Sequence, residues 1–294
     1  MVEALQQALV LGSRTAASNL GDSSCKMEEC VTGYLGNKLV EIVLPDTINN
    51  VLQGIKSFTE EFHMSDLQST MESIKGLLPS SINSQYNSLI SQYNSILNLD
   101  GYAKSIKVAL NRGAEKAAPQ SVDVFKSAIL GMSFSNAKEV LMGNSTAATS
   151  YLHKETYSPL QSAFSPILKE PLDLLKPNQY WKPLASSYNS FAQTCSNFKS
   201  LVSSNAIASN LLGNWLSNSD SDLPYEALPE DISAYLADYA TGKALDGLFL
   251  MVGKQETKLR ADPWGTINSL GDFISDTVGD LLGDVFSKAK DRLL

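Results

Sequence analysis

Residues 235–263, YLADYATGKALDGLFLMVGKQETKLRADP, constrain this chain more than any other stretch. They form one long helical pattern with an apolar middle, Ala244 to Val252, and charged residues after it. Apolar positions three and four apart belong to a helix that packs. The stretch reads as the central helix of an all-α domain, with Leu245, Leu248, Phe249 and Met251 in the core. It is too short in its apolar part to span a bilayer, and Asp246 interrupts that part.

The rest of the chain carries the same period. Met64, Leu67, Met71, Ile74, Leu77 and Leu78 fall at helical spacing, and Pro79 ends that run. A heptad duplication follows, SQYNSLI at 84–90 and SQYNSIL at 91–97. Tyr86, Leu89, Tyr93 and Ile96 lie on one stripe, with Ser, Gln and Asn opposite. Two heptads are too few for a coiled coil. Residues 64–78 and 81–98 read as an αα-hairpin appended to the domain. Neither heptad holds a charge, and exposed helices ordinarily rely on charge for solubility. The stripe is therefore expected at an assembly interface, with a protein partner or a second copy.

Further helices are expected at about 101–117, 120–131, 135–142 and 145–156. Pro159, Pro166, Pro171, Pro177 and Pro183 divide 157–190 into shorter helices joined by bends. Residues 217–229 read as a loop. Residues 270–294 read as an amphipathic helix. Leu270, Phe273, Ile274, Leu281, Leu282, Val285 and Phe286 share a face, and Asp272, Asp276, Asp280 and Asp284 recur every four residues on another. A membrane-surface helix ordinarily carries Lys and Arg there. The opening residues form an amphipathic helix pattern (Leu5, Leu9, Ala16, Leu20), not a signal peptide. LVEIVLP at 39–45 is the one β-like run. Helix is expected to exceed half of the residues and strand to stay below a tenth, in a single domain.

With 294 residues and 43% hydrophobic content, the chain can bury a real core. A net charge of −8 repels phosphate backbones, so nucleic acid is not an expected partner. Two histidines and three cysteines without paired CxxC spacing give no zinc pattern. Cys25 and Cys30 can close a small disulfide loop or remain two thiols. In an oxidising lumen they are expected to pair and leave Cys195 free and buried. Asn144-Ser145-Thr146 is a glycosylation sequon, relevant only in a secretory lumen.

Four ordered blocks resemble a bacterial family, the domain-of-unknown-function family 4197. GYLGNKLVEIVLP at 33–45 is similar to its strap, and ALNRGAEKAAP at 109–119 to one of its helices. MSFSNAKEVLMGNSTAATSYLHKET at 132–156 and TGKALDGLFLMVGKQETKLRADP at 241–263 complete the likeness. Lys38 stands where the family usually has Pro, and Glu41 where it has Lys. The Cys25–Cys30 loop, the 59–100 hairpin and the 264–280 segment look like additions. The resemblance implies a compact helical domain and a secretory, periplasmic or organelle lumen. It implies no activity.

Asn111, Arg112 and Glu115 lie close on one helix. They read either as a polar site for an anion or ligand head group or as an ion pair that fixes packing. Asp246 sits in an apolar run and is expected to take Lys243 or Arg112 as partner. His153 and the adjacent Ser150 lack a GxSxG elbow, and no phosphate-binding glycine loop occurs. Gly242, Gly247 and Gly253 are expected to permit close helix approach. No catalytic, cofactor-binding or metal residues are assigned. The expected function is a non-catalytic structural or interaction module. A carrier of an apolar molecule, such as a lipid or pigment, is the alternative, and a hydrolase comes third.

Overall fold

The computed structural model describes residues 2–24, 30–97, 99–174, 177–218 and 227–262. The chain is all-α: helices account for most of the described residues, and none of these is in a strand. The helices are α1 (Val2–Leu20), α2 (Asp46–Glu61), α3 (Met64–Ile74), α4 (Ser80–Ser95), α5 (Leu99–Ala117), α6 (Ser121–Leu130), α7 (Phe134–Met142), α8 (Ala147–Leu174), α9 (Pro177–Ser204), α10 (Ala206–Asn218) and α11 (Ser233–Ala261). Two compact units share them: unit 1 is 1–42, 110–172 and 235–294, and unit 2 is 43–109 and 173–234.

Unit 1 is built around the apolar middle of α11. Leu245 and Leu248 are fully buried, and Phe249 and Met251 are nearly so, as the period requires. Phe125 of α6 meets Phe249 edge-on at 5.8 Å. α1 packs on α6 and α7, and its Leu9, Ala16 and Leu20 are buried. The β-like run is not a strand. It belongs to a strap, 30–45, without regular structure, in which Gly33 and Gly36 adopt positive φ. α8 buries Leu152, Thr156, Leu160, Phe164 and Leu168, one residue per turn. That stripe overrides the breaks expected at Pro159 and Pro166. Both prolines face outward, where water can satisfy the carbonyls they free, and the helix continues through them.

Unit 2 has an aromatic core. Phe62, which follows α2, lies 5.2 Å from Phe58, 5.8 Å from Tyr93, 5.4 Å from Phe191 and 5.7 Å from Trp215. α4 packs along α9 and α3 on α10, so the two helices of the expected hairpin take partners from later in the chain. The heptad stripe is corrected accordingly. Leu89 and Ile96 are fully buried, Tyr86 sits 6.4 Å from Phe198, and the Tyr93 hydroxyl donates to the Thr59 carbonyl at 2.9 Å. These side chains are core because α9 supplies the apolar surface that a partner was expected to supply. α2, which carries Ile48, Leu52, Ile55 and Phe58 at helical spacing, and α10 had no expectation attached. α9 runs unbroken through Pro183 to Ser204, where shorter helices joined by bends were expected as far as residue 190. The expected C-terminal helix, 270–294, lies outside the described residues.

Candidate functional site

The polar side chains with the most organised surroundings are two buried carboxylates of unit 1, Glu115 and Glu256. Each anchors a different stretch of backbone. Glu115 of α5 is 1% exposed. Its Oε1 accepts from the backbone N–H groups of Tyr34 and Leu35, both at 3.0 Å. Its Oε2 accepts from the Arg112 guanidinium at 2.6 Å, and Arg112 also donates to the Ser23 carbonyl at 2.8 Å. One turn away, Asn111 exchanges two 2.8 Å hydrogen bonds with Ile42. It accepts from the Ile42 N–H and donates to the Ile42 carbonyl. The amide thus gives Ile42 what a neighbouring strand would give.

The strap lies close to its neighbours because two glycines leave room. A side chain at Gly33 would collide with the Asp22 carbonyl and with Glu115. One at Gly247 of α11 would come within 2.9 Å of the Tyr34 ring and 3.1 Å of Val40. Tyr34 is fully buried, and its hydroxyl donates to the Ala244 carbonyl at 2.6 Å. Burial, and then the Glu115 charge, push that hydroxyl well above the ordinary tyrosine range. Asp22 is held below the usual carboxylate range by hydrogen bonds from Ser24 and Thr32.

The second carboxylate repeats the device. Glu256 of α11 accepts from the N–H groups of Ala148 at 2.9 Å and Thr149 at 2.7 Å, and from the Thr149 hydroxyl at 2.7 Å. These are free donors in the first turn of α8, so the carboxylate caps that helix from a distant element. Arg260 grips Glu256 at 2.7 Å and donates to the Val140 carbonyl of α7 at 2.7 Å. Sequence reasoning missed Glu256 and Arg260. The signal was their spacing of four in KQETKLRADP, which puts them on one helical face.

The remaining candidates are scattered. Lys243 and Asp246 pair with each other at 3.8 Å and are 50% and 65% exposed. Asp246 is therefore not a buried carboxylate: it occupies the outward position of a helix whose other faces are covered. Gly242 faces open space and Gly253 makes ordinary contact with Thr149, so of the three α11 glycines only Gly247 permits a close approach, to the strap. The Ser150 hydroxyl donates to the Thr146 carbonyl at 3.0 Å. The His153 ring packs on Phe249 at 4.6 Å and on Tyr157 at 5.0 Å. Asn144 is exposed, and its Oδ1 accepts from the Thr146 N–H at 3.0 Å. Cys30 is disulfide-bonded and Cys195 is free and buried; Cys25 lies outside the described residues. Burial pushes the Cys195 thiol up to about 11.

Two open clefts mark the surface of unit 1. One of about 590 Å³ is lined by Arg14, Asn19, Asp22, Thr32 and Pro119. The other, of about 440 Å³, is lined by Glu139, Asn144, Ser150, Tyr151 and Lys154 among others. Among the described residues, no group of three or more His, Cys, Asp or Glu could hold a metal ion. Nor is any described helix long and apolar enough to cross a membrane.

Fold and buried latches together define an all-α protein whose best-organised polar groups bind its own backbone. The chain belongs to the family described as "Protein of unknown function (DUF4197)", whose model matches residues 72–272. The match takes in most of the 64–98 segment and does not reach the 33–45 strap. No curated protein and no solved structure matches the chain.

Proposed function

We propose that the protein is a non-catalytic interaction module that docks through the outer face of α4. One observation carries this reading: residues 76–99 contain no charged side chain, yet α4 keeps one side exposed. Ser84, Asn87, Ser88, Ser91, Asn94 and Ser95 form that side, and the exposed Leu77 and Leu97 flank it. Interface centres are poor in charge, because an ion there must be desolvated and matched. A ridge of short hydroxyl and amide groups offers donors and acceptors at little entropic cost. The inward stripe of the same helix is committed to unit 2, which leaves this ridge rigid and preorganised. The latches support the same reading, since their carboxylates and guanidinium groups already hold backbone.

The test places charge on the ridge. Asn87→Lys with Ser91→Lys is expected to weaken self-association or partner binding by on the order of 3 kcal/mol, roughly a hundredfold in Kd. Sedimentation and native mass spectrometry of both forms report it, with circular dichroism confirming an unchanged fold. An unchanged assembly state, or a wild-type chain that forms no assembly with itself or with its source extract, rejects the reading.

A further inference from the structure

We propose that Asn144 is a modification site and carries an N-linked oligosaccharide. Asn144-Ser145-Thr146 is the chain's one Asn-x-Ser/Thr triplet in which x is not proline. Such a triplet accepts sugar only where a transferase can reach it. This one fills the connection 143–146 between α7 and α8, and residues 141–145 are all exposed. The side-chain amide is turned the way the linkage requires. Its Oδ1 accepts from the Thr146 N–H at 3.0 Å and from the Thr146 hydroxyl at 3.3 Å. A backbone N–H can only donate, so it fixes which end of the amide is oxygen. Nδ2, the atom that bonds to sugar, has no protein partner among the described residues. Exchanging one of its protons for a sugar therefore breaks no hydrogen bond of the fold.

Room for the first sugar is present as well. Asn144 lines the open cleft of about 440 Å³ together with Asn136, Glu139, Tyr151 and Lys154. A pyranose has hydroxyl groups at its edge and C–H groups on its faces. The polar side chains of the cleft suit the first, and the Tyr151 ring suits the second. A separate observation points to the compartment. Cys30 is disulfide-bonded, and such bonds persist in oxidising lumens, where sugar is transferred to asparagine. The donor is an oligosaccharide on a polyisoprenyl diphosphate. Nδ2 attacks its anomeric carbon, and a C–N bond forms as the bond from that carbon to the diphosphate oxygen breaks. The lipid diphosphate leaves, Nδ2 gives one proton to a base of the transferase, and nothing is oxidised or reduced. The site lies in unit 1 and does not depend on the α4 ridge.

Peptide mapping of the protein purified from its source tests this. The peptide that holds Asn144 is expected to carry hexose and N-acetylhexosamine mass. Peptide N-glycosidase is expected to remove that mass and leave an aspartate in its place. In the full chain directed to the secretory lumen of a glycosylating host, Asn144→Gln and Thr146→Ala are each expected to abolish the excess mass. Both positions lie outside the helices, so circular dichroism should not change. An unmodified Asn144 in the source protein overturns the proposal. So does sugar mass that maps only to other residues or that survives both substitutions.

Discussion

Asn111 and Asn189 show how single side chains hold irregular segments in place. Asn111 pairs twice with Ile42 of the strap. In unit 2, Asn189 accepts from the Leu228 N–H at 2.8 Å and donates to its carbonyl at 3.0 Å. Backbone outside regular structure still has to bond something when buried, and a primary amide matches a peptide group in both senses. Asn111→Ala leaves the Ile42 N–H and carbonyl unpaired. At about 1–3 kcal/mol for each buried unpaired group, the expected loss is roughly 2–4 kcal/mol. Urea unfolding measures it, and a loss under about 0.5 kcal/mol, the size of an ordinary surface substitution, would show that the amide is dispensable. Cys195 gives a residue-scale prediction in pH. Its folded thiol titrates at about 11 against an ordinary 9, so burial favours the protonated form. The corresponding stability is complete below pH 9 and is lost as pH rises from 9 towards 11, because the unfolded thiol ionises first. At pH 8 the native thiolate population is roughly a hundredfold below that of an ordinary thiol. A disulfide reagent should therefore label Cys195 only after unfolding; rapid native labelling contradicts this.

At the scale of elements, the periodic segments were the legible ones. The 64–78, 81–98, 101–117, 120–131, 135–142 and 235–263 patterns all correspond to helices with slightly shifted ends. What the pattern hid was the partner of each face. The stripe through Tyr86 and Leu89 is equally apolar against α9 or against another protein, and periodicity cannot choose between them. The prolines of α8 misled for a local reason: proline disfavours a helix interior, but one buried side chain per turn outweighs an outward proline. Polar candidates were half legible. Asn111, Arg112 and Glu115 do act together, whereas Lys243 and Asp246 stand apart, since their depth depends on which arc of α11 stays open. Gly242 and Gly247 separate two effects on that helix. Gly247→Ala pushes a methyl onto Tyr34, which its bond to the Ala244 carbonyl holds in place. Crowding of this kind costs about 1–3 kcal/mol and exceeds the roughly 1 kcal/mol that alanine contributes to a helix. Gly242→Ala meets nothing within 4 Å and keeps that gain. Denaturant midpoints should move in opposite directions, and a stabilising Gly247→Ala would show that the strap yields.

Across the described residues, both units bury large aromatic side chains. Trp181, Tyr188, Phe62, Phe191 and Phe198 are fully buried in unit 2, and Tyr34, Phe125 and Phe164 in unit 1. Large rigid side chains at full burial leave a ligand only the places they do not occupy. A carrier of lipid or pigment depends on the reverse, an apolar chamber with a few polar groups at its mouth. The two clefts described in unit 1 are open and edged by charged or hydroxyl groups, which suits water better than an acyl chain. Native mass spectrometry of the protein purified from its source separates these cases in one measurement. The expected spectrum shows the mass of the covalent chain or its whole-number multiples, with no stoichiometric small-molecule adduct at low collision energy. An adduct that survives desalting and leaves only on activation would establish a carrier. The α4 ridge would then need another explanation, because a protein that delivers a ligand and one that docks by a preorganised face place different demands on the same helices.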